Sequence, residues 1–250
     1  LEETATHRPG KLAIVVSPMA ACEEAYLLAH YVKGLSRDVR LALGPVPVVG
    51  EDDTYPKDVH GRPATPVRFT IRAEKCPNRK GVQAVLEAFD DQVGTFDDFL
   101  AWAASGKIDS AYVVGGYPGP WLTAEQAARL GGLKLLVVQD LFASPLTEAA
   151  HVVLPSGSFA ERDGSYVNHA GLAQQFKRAV HPPGEARPDG RILWDLVGRR
   201  GLFHAPSLRE EMAREMDAFK DLPADLGAQG VFLEALAVGK KATVAGGAAR

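Results

Sequence analysis

The amino-acid sequence of 250 residues predicts an α/β protein built around a parallel sheet. Three short apolar runs, at residues 111–114, 133–138 and 151–154, have the length and composition of buried strands. A helical pattern lies between the first two. Because strands that alternate with helices pair in parallel through right-handed crossovers, the pattern indicates one sheet with helices packed against it.

The first strand and helix lie near the start of the chain. Residues 12–16 read LAIVV, and Ser17 then interrupts the apolar run. Over residues 21–35 apolar side chains recur at helical spacing, as Ala25 and Leu28 do. The pattern predicts a strand that leads directly into a helix.

A Pro-rich connection follows over residues 37–76, and its most irregular part spans about residues 51–66. Near its end Val67, Phe69 and Ile71 alternate with polar residues. This alternation is typical of a strand with one solvent-exposed face.

Two short helices are predicted next. Residues 82–89 have a helical pattern, and Thr95 is a suitable N-cap for a helix over residues 96–105. Gly106 follows as the residue type that commonly ends a helix.

The second strand and helix begin at residues 111–114. Thr123 and Gln126 have the spacing of a capping box, which predicts a helix that ends at Leu130. Residues 133–138 then form the next predicted strand.

The last part of the chain is predicted to be mostly helical. After a strand over residues 151–154, residues 191–197 form a helix, and Ser207 with Glu210 marks the start of another. We expect the tail from Gly239 onward to be loose.

The composition argues against several classes of partner. The formal net charge of -3 provides no cluster of positive charge for nucleic acid or an anionic membrane surface. No apolar run reaches the roughly 20 residues of a membrane-spanning helix. The first ten residues lack the pattern of a signal peptide, so we expect a cytosolic location. Because the chain starts at Leu1, we expect it to be part of a longer protein.

The cysteine and histidine content limits the metal chemistry of this chain. Cys22 and Cys76 are the only two cysteines, too few for an iron–sulfur cluster held by about four thiolates. The seven histidines are scattered singly. We therefore predict no metal site.

A ligand site in such a fold is expected beyond the carboxyl ends of the strands, where the loops vary on a rigid sheet. Four polar loops fall there, at residues 17–20, 115–120, 139–144 and 155–165. These loops and the segment after them provide the candidate binding residues: Ser17, Gly115, Gly116, Asp140, Ser156, Asp163, Gly164 and Asn168.

The roles of these candidates stay open at this point. Gly115 and Gly116 are suited either to the close approach of a phosphate or to a tight exit from a strand, but they do not form a GxGxxG fingerprint. Asp140 is placed either to hold a ribose or guanine, or to accept a hydrogen bond from a neighbouring backbone amide.

A hydrolytic triad is a further arrangement to consider. Ser156, Ser158, Glu161, Asp163 and His169 include the required residue types. However, no GxSxG elbow is present, and serine beside glycine is typical of turns. We therefore predict no catalytic residues in this segment.

Several motifs follow one another in the second half of the chain, and two more lie upstream. The later ones are VVQDLF (137–142), TEAAHVVLP (147–155), FAERDG (159–164), VN (167–168) and PPGEARPD (182–189). The earlier ones are KLAIVVSPMAACEEAYLLAHYV (11–32) and KCPNRKGVQAVL (75–86).

This order of motifs resembles the molybdopterin oxidoreductases over roughly residues 11–203. It is most similar to the large iron–sulfur subunit, designated G, of NADH:quinone oxidoreductase, which is bacterial respiratory complex I. The resemblance implies a Rossmann-like, doubly wound and mostly parallel sheet with helices on both faces. It also implies an α/β domain at residues 1–203 and a helical C-terminal extension at residues 204–250.

The chain departs from the family pattern in two places. Where the family commonly has a glutamate and an arginine, this sequence has Ala170 and Leu172. The connection after the first helix is also short, as in the large iron–sulfur subunit of complex I, whereas the catalytic branch of the family has a longer stretch there.

From the resemblance we expect the C-terminal, cofactor-free structural and assembly part of this large iron–sulfur subunit. In this role the fragment supports electron transfer from NADH to quinone through clusters carried elsewhere and is not catalytic by itself. The implied partners are the upstream, cluster-bearing part of the same subunit and other peripheral-arm subunits. The implied location is cytoplasmic and peripheral to the inner membrane.

Two alternatives remain. The first is a catalytic oxidoreductase domain that binds molybdopterin guanine dinucleotide in the crevice, as in formate dehydrogenases. The second is a free-standing module that binds a small ligand. Iron–sulfur clusters are expected only in the upstream part in any case.

Overall fold

The computed structural model describes residues 1–237. Within them the helices are α1 (Glu2–His7), α2 (Cys22–Leu35), α3 (Arg79–Phe89), α4 (Phe96–Ala104), α5 (Ala124–Leu130), α6 (Pro145–Ala149), α7 (Asp189–Leu196) and α8 (Ala205–Glu215). The strands are β1 (Leu12–Val16), β2 (Arg40–Leu43), β3 (Asp53–Tyr55), β4 (Phe69–Ile71), β5 (Ser110–Val114), β6 (Leu135–Asp140), β7 (Val152–Pro155), β8 (Gly164–Val167), β9 (Leu172–Phe176) and β10 (Val231–Phe232).

The central sheet has five strands in the order β2-β1-β5-β6-β7. All of its pairings are parallel, and Ile14 in β1 lies between Leu41 in β2 and Tyr112 in β5. The prediction of a Rossmann-like α/β fold is therefore confirmed. Strand β2 was not among the predicted strands, because its four residues lie in the segment interpreted as a Pro-rich connection.

Helices cover both faces of this sheet. Ile14 and Val16 point to a core shared with α2, α3, α7 and α8. Ala13 and Val15, on the opposite face, pack with α4, α5 and α6. Since alternate residues of β1 enter two different cores, the strand is apolar throughout, as expected of a strand buried on both faces.

A second sheet lies where the sequence indicated a loop. Strands β8 and β9 pair antiparallel, and β10 adds to the edge of β9. Gly164 packs so closely on α2 that a Cβ there would lie 2.5 Å from the Cβ of Ala21. The segment after β7 is thus an antiparallel unit attached to the start of α2.

The connection over residues 37–76 carries a short hairpin, β3 with β4. The predicted strand at the end of this connection is present, but Phe69 and Ile71 are 56% and 50% exposed. The prediction of a single solvent-exposed face is wrong for this strand, because its apolar side chains are exposed as well. Phe69 instead stacks on Tyr55, with ring centroids 5.1 Å apart.

The helix caps agree with the sequence in two cases and differ in a third. Thr95 and Thr123 cap α4 and α5, as predicted, and Thr95 adds a capping box with Asp98 that was not predicted. Helix α8 begins at Ala205 rather than near Ser207, because the His204 side chain accepts a hydrogen bond from the Ser207 amide.

Several further elements differ from the prediction. Helix α7 begins at Asp189 and α3 at Arg79, two and three residues before their predicted starts, and the short helices α1 and α6 were not predicted. The tail from Gly239, expected to be loose, lies outside the described residues.

None of the helices in residues 1–237 is both long and apolar enough to cross a membrane. In the same part of the chain, no group of three or more histidine, cysteine, aspartate or glutamate side chains is arranged to hold a metal ion.

Candidate functional site

The crevice of the central sheet lies at the carboxyl ends of β1 and β5. The chain passes from β1 to β2 on one side of β1 and later places β5 on its other side, so the strand order reverses there. Such a switch point is where open α/β sheets bind ligands. Ser17 follows β1, and its Oγ accepts a hydrogen bond of 3.0 Å from the Met19 amide. Gly115 and Gly116 follow β5.

Asp140, at the end of β6, ties the neighbouring loop to the sheet. Its Oδ1 accepts hydrogen bonds from the Gly116 and Leu141 amides, both at 2.8 Å. Its Oδ2 accepts a third, from Trp121 Nε1, at 2.8 Å. A Cβ at Gly115 would lie 2.4 Å from the Asp140 carboxyl carbon, so only glycine fits there. Of the two roles left open for Asp140, the described contacts are those of a backbone-amide acceptor.

Tyr117 reaches from the end of β5 across the crevice to the chain that follows β2. It is 2% exposed, and its hydroxyl donates a 2.7 Å hydrogen bond to the Pro45 carbonyl oxygen. Its ring stacks on Trp121 at a centroid distance of 4.8 Å. A Cβ at Gly44 would lie 2.7 Å from the Tyr117 hydroxyl. The chain's own aromatic side chains therefore occupy this part of the switch point.

A cavity of about 330 Å³ remains on the far side of these aromatic residues. Its lining includes Trp121, Asp140 and Phe142. Asp140 is 5% exposed, and its carboxylate already accepts three hydrogen bonds. It therefore presents little free polar surface to the cavity, whose wall is mainly apolar.

The start of α2 carries two buried glutamates. Glu23 Oε1 accepts a 2.7 Å hydrogen bond from Arg209 and a 3.0 Å bond from the Ser165 hydroxyl, and Glu23 Oε2 accepts from the Ser165 amide at 2.8 Å. Glu24 Oε2 accepts from the Ala21 amide at 2.7 Å. These carboxylates join α2 to β8 and α8.

Arg162 lies at the centre of a second group of buried side chains. Its guanidinium donates to Glu24 Oε2 at 2.9 Å, to Asp189 Oδ2 at 2.7 Å and to the Met19 carbonyl oxygen at 2.9 Å. Gln139 donates to the other oxygen of Asp189 and accepts from the Tyr112 hydroxyl. The group links the turn before β8 to the loop after β1, the start of α2, strand β6 and the start of α7.

Ser156 lies beside this group at the end of β7. Its amide donates to the Asp140 carbonyl oxygen at 3.1 Å, and the residue pairs with Arg187 in a parallel bridge. Its hydroxyl oxygen is buried and has no hydrogen-bond partner among the described residues.

The structure separates the eight predicted binding residues into two sets. Five follow the ends of β1, β5, β6 and β7: Ser17, Gly115, Gly116, Asp140 and Ser156. The other three belong to the antiparallel sheet or to the turn before it: Asp163, Gly164 and Asn168.

The contacts within the second set are local. Asp163 is exposed and accepts from the Arg178 amide at 3.2 Å, and Asn168 Oδ1 accepts from the amides of Ala170 and Leu172 at the tip of the hairpin. These contacts form turns.

Sequence reasoning missed the polar residues that hold the crevice together. Asn78 is fully buried. Its Nδ2 donates to the Ala20 carbonyl oxygen, and its Oδ1 accepts from the Val167 amide, both at 2.7 Å. A Cβ at Gly81 would lie 2.1 Å from Asn78 Oδ1, which explains why a glycine follows three residues after Asn78. The available signal for Glu23 and Glu24 was two adjacent charges at the start of an otherwise apolar helix.

The geometry defines a Rossmann-like α/β domain with a crevice at its switch point, and comparison with known proteins places part of it in a family. Residues 78–199 match the family model described as molybdopterin oxidoreductase. The matched segment is just under half of the chain and is similar to the molybdopterin oxidoreductase family.

Similar proteins come from the same superfamily. A nitrate reductase of Symbiobacterium thermophilum is 38% identical over 131 residues, which are 50% of this chain and 17% of that protein. The F420-dependent formate dehydrogenase 1 subunit alpha of Methanococcus maripaludis is 35% identical over 128 residues, 50% of this chain and 19% of that protein. An NADH-quinone oxidoreductase subunit, designated G 2, from Rhizobium meliloti is 32% identical over 143 residues, 54% of this chain and 17% of that protein. The chain thus spans less than a fifth of each of these relatives.

Proposed function

We propose that the chain is a cofactor-free structural and assembly domain of an NADH:quinone oxidoreductase, equivalent to the C-terminal part of its large iron–sulfur subunit. It supports electron transfer from NADH to quinone through clusters carried elsewhere in the protein. Its partners are the cluster-bearing part of the same subunit and other peripheral-arm subunits, on the cytoplasmic side. The observation that carries the proposal is the occupation of the crevice by Tyr117.

The loop after β5 supports this proposal. A ligand diphosphate at a switch point needs free backbone amides and space for close approach. Here the Gly116 amide donates to Asp140, the Met19 amide donates to Ser17, and the Tyr117 ring fills the space above the strands. These residues do not fit a pterin dinucleotide at the switch point.

The start of α2 adds an electrostatic argument. A helix N-terminus attracts anions because its first amides and its dipole present positive charge. In this chain Glu23 and Glu24 lie in the first turn and are fully buried, with arginines from later in the chain beside them. The side chains of Glu23 and Glu24 already lie at the positive end of the helix, where Glu24 accepts from the Ala21 amide, so a diphosphate would have to displace them.

A second candidate function is a catalytic domain that binds molybdopterin guanine dinucleotide. The similarity to a nitrate reductase and to a formate dehydrogenase alpha subunit favours it. The cavity of about 330 Å³ next to Asp140 is the place where part of such a ligand would have to lie.

Cofactor analysis distinguishes the two functions. The full-length protein, purified from its native host, is analysed for molybdenum and tungsten by mass spectrometry and for pterin by the fluorescence of its oxidised form. We expect neither at a level approaching one per chain. A stoichiometric pterin would overturn the cofactor-free proposal and support the catalytic one.

The assembly role needs a separate measurement. With an affinity tag on the full-length protein in its host, we expect NADH:quinone oxidoreductase activity and the cluster-bearing subunits to co-elute with it. Elution of the tagged protein alone, with the activity in the flow-through, would contradict the assembly role and favour a free-standing module.

A further inference from the structure

Two buried ion clusters lie side by side at the start of α2, and they differ in their balance of charge. Glu23 faces one guanidinium, that of Arg209, at 2.7 Å. Glu24 and Asp189 share the single guanidinium of Arg162, at 2.9 and 2.7 Å. The side chains of all three residues in the second cluster are at most 4% exposed. This cluster therefore holds two acidic groups and one cation away from solvent.

We propose that the Glu24–Arg162–Asp189 cluster binds one proton, on Glu24, and that this proton keeps the turn carrying Arg162 fastened to α2 and α7. The cluster is then a pH-sensitive clasp built into the rim of the crevice. This inference concerns the fold itself and does not depend on the proposed function.

The hydrogen bonds indicate which acid holds the proton. Asp189 accepts at both of its oxygens, from Gln139 at Oδ1 and from Arg162 at Oδ2. Glu24 accepts only at Oε2, while its Oε1 is buried without a partner among the described residues. Donors stabilise the charged form of a carboxyl group, and burial destabilises it. Asp189 is therefore the acid that keeps its negative charge, and Glu24 Oε1 is the site for the proton.

The groups around the cluster do not supply a second positive charge. Glu23 lies next to Glu24 on α2, and it adds negative charge that its own partner Arg209 offsets. From β8, the hydroxyl of Tyr166 lies 3.4 Å from the Met19 carbonyl oxygen that Arg162 also contacts. Burial raises the pKa of Glu24 from 4.5 to about 7, with Arg162 opposing and Asp189 adding to the rise.

The sign of the pH dependence follows from the raised pKa. The folded form binds a proton that an opened, solvated Glu24 would release above its ordinary pKa of 4.5. The stability that the clasp provides is fully present below that value. It is lost as the pH rises to about 7, where the folded form also loses the proton. Above that pH two buried carboxylates repel each other across one guanidinium.

The turn that carries Arg162 is the part expected to open. Beyond the cluster, hydrogen bonds from the Ala179 and Val180 amides to the Ala160 carbonyl oxygen attach it to the chain. A further bond, from the Glu161 amide to the Ser158 carbonyl oxygen, lies within the turn. These three amides report directly on whether the clasp is closed.

Hydrogen exchange tests the proposal on the whole chain. Protection of the amides of Glu161, Ala179 and Val180 is measured from pH 5 to 8 and corrected for the intrinsic exchange rate. Since opening releases one proton, we expect protection to fall about tenfold per pH unit between pH 5 and 7 and to level off above. Protection that does not change with pH would overturn the proposal.

A matched pair of variants tests whether the pH dependence of protection comes from Glu24. Glu24→Gln keeps the shape and the acceptor but cannot ionise, so its protection should not vary with pH. Glu23→Gln alters the adjacent residue of the same helix turn and leaves the two-acid cluster in place, so the tenfold slope should persist. A slope that survives in Glu24→Gln would overturn the assignment.

Infrared spectroscopy of the wild-type protein provides a readout that needs no variant to fold. With ¹³C-labelled glutamate side chains, we expect a carboxylic acid band near pH 6 that shifts with the label and disappears near pH 8.5. A band that does not shift with the label, or no acid band at pH 6, would refute protonation of Glu24.

Discussion

Replacement of Asp140 tests whether the end of β6 is a structural joint or a ligand-binding position. Asp140→Ala leaves the Gly116 and Leu141 amides and the Trp121 indole without their acceptor. An unsatisfied buried donor costs about 1–3 kcal/mol. Because water can reach the half-buried indole and reduce its share, we expect the free energy of unfolding to fall by about 3–5 kcal/mol in total. Asp140→Asn keeps one oxygen but turns an amide donor toward Trp121, and should cost about 1–2 kcal/mol.

Urea denaturation at pH 7 measures both losses. A double-mutant cycle with Trp121→Phe isolates the donor–donor conflict, because that variant removes the indole N–H. We expect Asp140→Asn to cost about 1 kcal/mol less in the Trp121→Phe background. If Asp140→Asn leaves the denaturation midpoint unchanged or raises it, the carboxylate does not hold the loop, and a role toward a ligand becomes the better explanation.

Changes at three further positions test the contacts at the start of α2 and in the crevice. Arg209→Met buries Glu23 without its cation and should lower the free energy of unfolding by about 3–5 kcal/mol in urea, with part of the loss recovered by adding Glu23→Gln. Gly164→Ala places a methyl group against α2 and should cost about 1–3 kcal/mol in thermal denaturation, whereas an unchanged melting temperature would mean that this contact is loose. Tyr117→Ala should lower the free energy of unfolding by about 3–5 kcal/mol and Tyr117→Phe by about 1 kcal/mol. If Tyr117→Ala leaves the free energy of unfolding unchanged, the ring does not fill the crevice.

The features that the sequence predicted well depend on neighbouring residues. A continuous apolar run identifies β1, and a threonine three residues before an acid or amide identifies the start of α4 and α5. Such signals lie within a few positions of each other, so no knowledge of the fold is needed to interpret them.

The features that it missed depend on distant residues. Arg162 contacts Glu24 across 138 positions, and Arg209 contacts Glu23 across 186. Nothing near either arginine in the chain shows that it will be buried. The prediction for β4 failed for a different reason: the strand is present, but Phe69 stacks on Tyr55 of its own hairpin instead of the core and stays 56% exposed.

One departure from the family pattern, Leu172, agrees with the contacts around it. Leu172, where the resemblance expects an arginine, pairs with Phe232 of β10, and Leu233 donates its amide to the Gly171 carbonyl oxygen. A charged side chain at this position would meet an apolar strand from the chain's own C-terminal segment. At the crevice Tyr117 similarly covers the ends of the strands. At the crevice the chain thus covers, with its own residues, a surface that a ligand would otherwise need, and this supports the structural role over the catalytic one.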